Sequence, residues 1–159
     1  MAGGCKVVKK SDVVIIDSNV FIIDLRYQND KNFNTNKKFL KIIHSRDCGV
    51  TSIINLLEII GILSFNFNER QIAEFYKYFP QKYNIDVIPS LSPDSRLPEL
   101  EIRRLIDIIT KKASFGDALI IASVDTYIPY ASYFVTWDKE HFKGKLNMRV
   151  LTPAEFLKI

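Results

Sequence analysis

Val13-Val14-Ile15-Ile16-Asp17-Ser18-Asn19 decides how this chain is read. Four β-branched residues run together without polar alternation, the pattern of a central parallel strand buried on both faces. The run stops at Asp17-Ser18-Asn19, polar residues that end a strand and cap a helix. A buried strand that delivers a carboxylate at its carboxyl end is the unit from which an open parallel sheet builds a ligand site.

The same alternation continues outward. Residues 26–37 hold four Asn with Lys31 and Lys37 and read as a loop. Lys38 to Ser45 carries Phe39, Ile42 and Ile43 at helical spacing. Gly49-Val50-Thr51 reads as a second strand, and Ser52 caps a helix that runs to about Leu63. Asn68 caps a helix from Glu69 to Phe79, which Pro80 is expected to end. Ile85 to Ile88 is strand-like. Pro98 is expected to open a helix whose apolar stripe is Ile102, Leu105, Ile106 and Ile109. Ser114 and Asp117 have capping-box spacing at the start of the next helix. Tyr133 to Thr136 and Val150-Leu151 are strands, and Thr152-Pro153-Ala154-Glu155 is a strong helix start. Strands alternate with helices throughout, which predicts an α/β fold with a central, mostly parallel sheet. Residues 1–11 read as a flexible lead-in, and residues 12–159 as one domain.

Composition narrows the class. The chain has 159 residues, 47% hydrophobic and 25% charged, with a net charge of +4 and a pI near 9.0. That is enough apolar material for a core, and the mild basic excess suits an anionic partner such as nucleic acid. Cys5 and Cys48 stand far apart in no CxxC pattern, which argues against a disulfide framework or a zinc site. Cys48 is expected as a buried thiol. The longest apolar run, Ile53 to Phe65, is broken by Asn55, Glu58 and Ser64 and is too short for a bilayer. The expected location is the cytoplasm, without a membrane partner.

Four acids carry the chemistry. Asp17 and Asp138 follow strands, Asp117 sits in the first turn of a helix, and Glu58 interrupts an aliphatic helix three residues after Asn55. Each alone has a structural account: caps for Asp17 and Asp138, the macrodipole for Asp117, an ion pair or a narrow polar stripe for Glu58. Together they are better explained by one shared cause. Gathered carboxylates repel one another, and a bound cation reverses that repulsion. Oxygen-only donors select a hard ion, Mg²⁺ or Mn²⁺, which activates water and polarises phosphoryl oxygens. His44 reads as a surface residue late in a helix, and His141 as a neighbour of the acids. Trp137 is expected to pack rather than to stack on a base.

The segments Ile15 to Phe21, Ser52 to Leu63 with Glu58, Gly116 to Ala122 with Asp117, and Val135 to Phe142 with Asp138 resemble, in order and spacing, the four motifs of PIN-domain nucleases. The resemblance covers nearly the whole chain and leans toward the single-domain prokaryotic branch that includes VapC-type toxins. It implies an α/β/α sandwich and Mg²⁺- or Mn²⁺-dependent endonucleolytic cleavage of RNA that leaves a 5′-phosphate and a 3′-hydroxyl. It places metal ligation on Asp17, Glu58, Asp117 and Asp138, with support from Asn19 and Thr136. It also implies an antitoxin protein as partner.

Other classes make different demands. A housekeeping RNA-processing PIN nuclease would keep the four acids but lack a neighbouring antitoxin gene. A catalytically silent RNA-binding module has no need of all four acids. A haloacid-dehalogenase-like phosphatase expects a second Asp where Asn19 stands, and a receiver domain wants a late loop Lys that Lys139 matches poorly. Lys139, Lys143 and Lys145, with Arg103, Arg104, Lys111 and Lys112, adjoin the acids and are expected to form a basic rim for RNA phosphates. Tyr76, Tyr78 and Phe79 are expected to be exposed on a partner surface, for an antitoxin or for a second copy in a homodimer.

Overall fold

The computed structural model describes residues 12–159; the lead-in at residues 1–11 and Cys5 lie outside them. The elements run β1 (Val14–Ile16), α1 (Ser18–Arg26), α2 (Phe33–Arg46), β2 (Gly49–Ser52), α3 (Ile53–Leu63), α4 (Glu69–Tyr83), β3 (Ile85–Ile88), α5 (Ile102–Thr110), α6 (Phe115–Tyr127), β4 (Tyr133–Val135), α7 (Lys139–Phe142), β5 (Arg149–Leu151) and α8 (Pro153–Phe156). All strand pairings are parallel, in the order β3-β2-β1-β4-β5. The chain builds one half of the sheet outward from β1, then returns to the other side of β1 to build the second half. The seam between β1 and β4 is therefore the topological switch point, where open parallel sheets form ligand crevices.

Both faces of the sheet are covered. Successive side chains of a strand point to opposite faces. Val14 and Ile16 accordingly enter one cluster, with Phe21, Phe39, Leu56, Phe79 and Phe156, and Ile15 enters the other, with Ile108, Ile121, Phe134 and Phe142. All three residues of β1 are buried, as the unalternated run requires. The result is an α/β/α sandwich, with α1 to α4 and α8 on one face and α5 to α7 on the other. No helix among the described residues is long and apolar enough to cross a membrane.

Three sequence-based boundaries move. The loop expected over 26–37 shrinks, because α2 begins at Phe33. Asn36, a poor helix former, is fully buried there: its Nδ2 donates to the Val20 carbonyl at 2.8 Å and its Oδ1 accepts from Trp137 Nε1 at 2.8 Å. Those tertiary bonds outweigh the weak helix propensity of Asn. Pro80 does not end α4, which runs one turn further to Tyr83. Tyr83 packs edge-on against Phe21 and Phe79 and donates to Asp24, and Asn84 in the left-handed conformation then closes the helix. Pro98 does not open α5, which starts at Ile102. The expected inward stripe is mostly outside: Ile102, Ile106 and Ile109 are exposed, and Ile108 is the buried anchor. The aromatic surface expected on α4 is also reduced. Phe79 is buried and Tyr76 donates its hydroxyl to the Leu91 carbonyl, which leaves Tyr78 exposed.

Gly49 opens β2 directly beneath α2. A Cβ there would stand 2.5 Å from Ile43 Cγ2 and 2.7 Å from Ile85 Cγ2, both on stiff branched side chains of the core. Gly49→Ala is expected to lower the unfolding free energy by about 1–3 kcal/mol, the scale of overpacking, measured by urea denaturation; unchanged stability would show that α2 can lift off β2 at no cost.

Candidate active site

β1 ends and α1 begins at Asp17, which is the helix N-cap: its Oδ1 accepts from Ser18 N at 2.8 Å. This local geometry turns the carboxylate toward the seam with β4. Asp17 is 4% exposed, and its carboxylate is held from two sides. Thr136, just beyond β4, donates its hydroxyl to Asp17 Oδ2 at 2.7 Å. Asn55, in the first turn of α3, donates Nδ2 to Asp17 Oδ1 at 3.0 Å and to Ser18 Oγ at 2.9 Å. Asn55 is itself fixed by Ser52, the α3 N-cap, whose hydroxyl donates to Asn55 Oδ1 at 2.6 Å.

Thr136 Oγ1 is the hub of the opposite side. Besides donating to Asp17, it accepts from Asn19 Nδ2 and from Asp138 N, each at 3.0 Å. One donor and two acceptor positions exhaust a hydroxyl. Asn19 Nδ2 also reaches Asp138 Oδ2 at 3.2 Å, and Asn19 Oδ1 accepts from Trp137 N. Asp17, Asn19, Thr136 and Asp138 thus form one hydrogen-bonded group across the β1–β4 seam. Trp137 faces away from it and packs against the larger core cluster, as its expected packing role requires.

The other two acids approach from the helices. Asp117 stands in the first turn of α6, where its N–H caps onto Ser114 Oγ. Its carboxylate makes no reciprocal capping bond and instead meets His141 Nδ1, 3.4 Å away. Glu58 Oε2 lies beside the turn that opens α6, 3.9 Å from where a Cβ on Gly116 would stand. Glu58 is exposed, so its charge carries no burial cost among the aliphatic residues of α3. Asp138 is also exposed.

Electrostatics tie these groups together. Burial pushes the Asp17 carboxyl up to about 7, against the opposing hydrogen bonds from Thr136 and Ser18, and the charges of Glu58 and Asp117 push it further the same way. Among the described residues, no Lys or Arg forms an ion pair with Asp17, Glu58, Asp117 or Asp138. Among the same residues, no three His, Cys, Asp or Glu side chains stand close enough to enclose a metal ion. The carboxylate oxygens of Asp17 and of the acids that repel it are the kind of donor a hard divalent cation takes.

Sequence reasoning gave Ser52 and Ser18 only capping roles and Asn55 none, and missed their part in holding Asp17. The one available signal was Asn55, a polar residue one turn before Glu58 in an aliphatic helix. The basic residues expected at the rim are divided. Lys139 is paired with Glu155 at 2.9 Å, Arg104 with Asp125, and Lys145 donates to the His141 carbonyl at 2.7 Å. Arg103, Lys111, Lys112 and Lys143 are exposed.

No family model matches the sequence, and no curated protein matches it either. Solved structures do. FitAcB from Neisseria gonorrhoeae aligns over 89% of this chain and 99% of its own, with a TM-score of 0.59 and 16% identity. VapBC2 from Rickettsia felis, bound to a DNA fragment from their promoter, aligns over 88% and 98%, with a TM-score of 0.58 and 15% identity. FitAB bound to an IR36 DNA fragment aligns over 89% and 95%, at 0.54 and 15%. At such identities the shared feature is the fold, the PIN-like α/β/α sandwich.

The raised Asp17 pKa sets a pH dependence. With its folded value above the ordinary 3.8, Asp17 keeps a proton in the folded chain that the unfolded chain has released. Its stabilising contribution is full below about pH 4 and is lost as pH rises through about 7. In EDTA, Asp17→Asn should remove that loss, so that stability differs between variant and wild type by up to about 4 kcal/mol more at high than at low pH. Parallel pH profiles would show that Asp17 is ionised across the range.

Proposed function

From a PIN-like sandwich with an acidic crevice at its switch point, we propose that this chain is a divalent-metal-dependent endoribonuclease that hydrolyses RNA phosphodiester bonds. The observation that carries the reading is the buried Asp17 carboxylate, locked by Thr136 and Asn55, flanked by Glu58 and Asp117 and without a cationic partner among the described residues. A charge arrangement that destabilises the empty protein is a reason to hold a cation.

In this reading Asp17, Glu58, Asp117 and Asp138 hold Mg²⁺ or Mn²⁺. When bound, such an ion supplies polarisation of a phosphoryl oxygen and activation of water. The chain's own residues do the rest. Thr136 and Asn55 fix both oxygens of Asp17, so the first ligand costs little reorganisation. Asn19 holds Asp138 toward the same seam. Arg103 and Lys143, exposed and unpaired in the described structure, are the rim positions best suited to hold RNA phosphates. Lys139, Arg104 and Lys145 spend their charge or donors on Glu155, Asp125 and the His141 carbonyl.

The biological role proposed is that of a VapC-type toxin held by an antitoxin. Its support is the motif resemblance and the overlay with VapBC2 and FitAB. The apolar face of α5 at Ile102, Ile106 and Ile109 is available to a protein partner, the antitoxin or a second copy. A processing nuclease without an antitoxin uses the same site, and the neighbouring reading frame separates the two.

Incubation with a total RNA pool should give cuts only with Mg²⁺ or Mn²⁺, with 5′-phosphate ends. Asp17→Asn should lose at least about 100-fold in rate, the scale of removing a charge-stabilising group, while its circular dichroism stays native. Full activity in a folded Asp17→Asn protein would remove the assigned site. Millimolar Mn²⁺ should also raise the melting temperature of the wild type and do so less for Asp17→Asn, because a ligand bound only by the native state stabilises it. An unmoved melting curve would count against metal binding.

A further inference from the structure

Helix α2 carries a second feature that the site does not use. Its sequence, Phe33 to Arg46, contains Lys37, Lys38, Lys41, His44 and Arg46 and no acid. Asn36, Phe39, Leu40 and Ile43 face the core, which turns Lys37, Lys38 and Lys41 to the outer face, all exposed. Among the described residues, none of the three pairs with a carboxylate. Lys37 Nζ lies 5.8 Å from the Phe33 ring centroid, a contact that leaves its charge available.

This face is coupled to the acidic crevice. Asn36, immediately before Lys37, accepts the indole N–H of Trp137, the residue next to Asp138. The amino-terminal half of α2 is thus tied to the loop that carries the fourth acid. Lys37 and Lys41 are one turn apart, about 6 Å along the axis, a spacing that long side chains match to neighbouring phosphates of one strand.

We propose that the outer face of α2 is a phosphate-binding track for single-stranded RNA, in which Lys37, Lys38 and Lys41 hold the strand beyond the crevice. The proposal rests on the nuclease reading and adds a binding site outside the rim. Uncompensated lysines give affinity without sequence preference, through counterion release. A strand long enough to reach past Trp137 gains these contacts, and one confined to the crevice does not.

The test is affinity against salt, in Ca²⁺ so that binding is separated from cleavage, for a long single-stranded RNA and a tetranucleotide. Lys37→Ala/Lys41→Ala is compared with the charge-matched Lys77→Ala/Lys82→Ala on α4, whose lysines are also exposed. For the long RNA, the α2 variant should lose about 1.4 units of salt slope, from roughly 0.7 per single-strand phosphate contact. The defect should shrink with the tetranucleotide, and the α4 variant should follow the wild type. Equal slopes in both variants, with RNA still cleaved, would overturn the track and leave the nuclease reading standing. A wild type that neither binds nor cuts RNA would remove both. Binding to duplex DNA that depends on Lys37 and Lys41, with long RNA indifferent to them, would assign the face to DNA and overturn the proposal.

Discussion

The structure depends on one awkward group, the carboxylate of Asp17. It is buried at the end of a strand that is itself covered on both faces, yet no cation among the described residues pairs with it. Taking a carboxylate out of water is costly unless hydrogen bonds or a charge compensate. The fold supplies hydrogen bonds from Ser18, Asn55 and Thr136, which occupy both oxygens. It then brings Glu58 and Asp117 near enough to raise the cost again. Stability alone gives no reason to spend three buried polar partners on a group and surround it with like charge. A ligand of opposite sign does.

The sheet topology makes the arrangement possible. Because β1 is central and the chain leaves it first on one side and later on the other, β1 and β4 pair side by side and their ends form the switch-point seam. Asp17 and Thr136 meet there although 119 positions separate them. Asn55 enters from the opposite flank because Ser52 ends β2 and caps α3 at once. Three strand ends thus each contribute one polar residue to a single network, and the short parallel strands fix their relative heights. Gly49 plays its part at the other end of β2, where the absence of a side chain lets Ile43 and Ile85 close over the strand.

Charge is distributed unevenly around this centre. Several cations nearest the acids are neutralised within the fold, as Lys139 is by Glu155 and Arg104 by Asp125. The Lys139 pair, half-buried, holds the Glu155 carboxyl down at about 2, with help from the Thr152 N–H. These pairs brace α7 against α8 and α5 against α6. Others pair with no carboxylate among the described residues: Arg103 and Lys143 beside the crevice, and Lys37, Lys38 and Lys41 on the outer face of α2. An anionic polymer would be drawn to these cations and would meet the negative crevice only where a metal offsets it.

Sequence by itself determined the alternation of strands and helices, the helix starts at Ser52, Asn68, Ser114 and Thr152, and the placing of Asp17 and Asp138 after strands and of Asp117 in a first turn. These are local matters: capping, periodicity and branched-residue runs act over a few residues. It did not determine where α2 starts or where α4 ends, because Asn36 and Tyr83 are held by partners far along the chain. Nor did it reveal that Glu58 is exposed, that Ile102 and Ile106 face outward, or that Asn55 is a partner of Asp17. Strand order was beyond its reach as well, since nothing local distinguishes β2 from β4 as neighbours of β1. Only the tertiary structure decided these, because burial and long-range hydrogen bonding are set by which elements pack together.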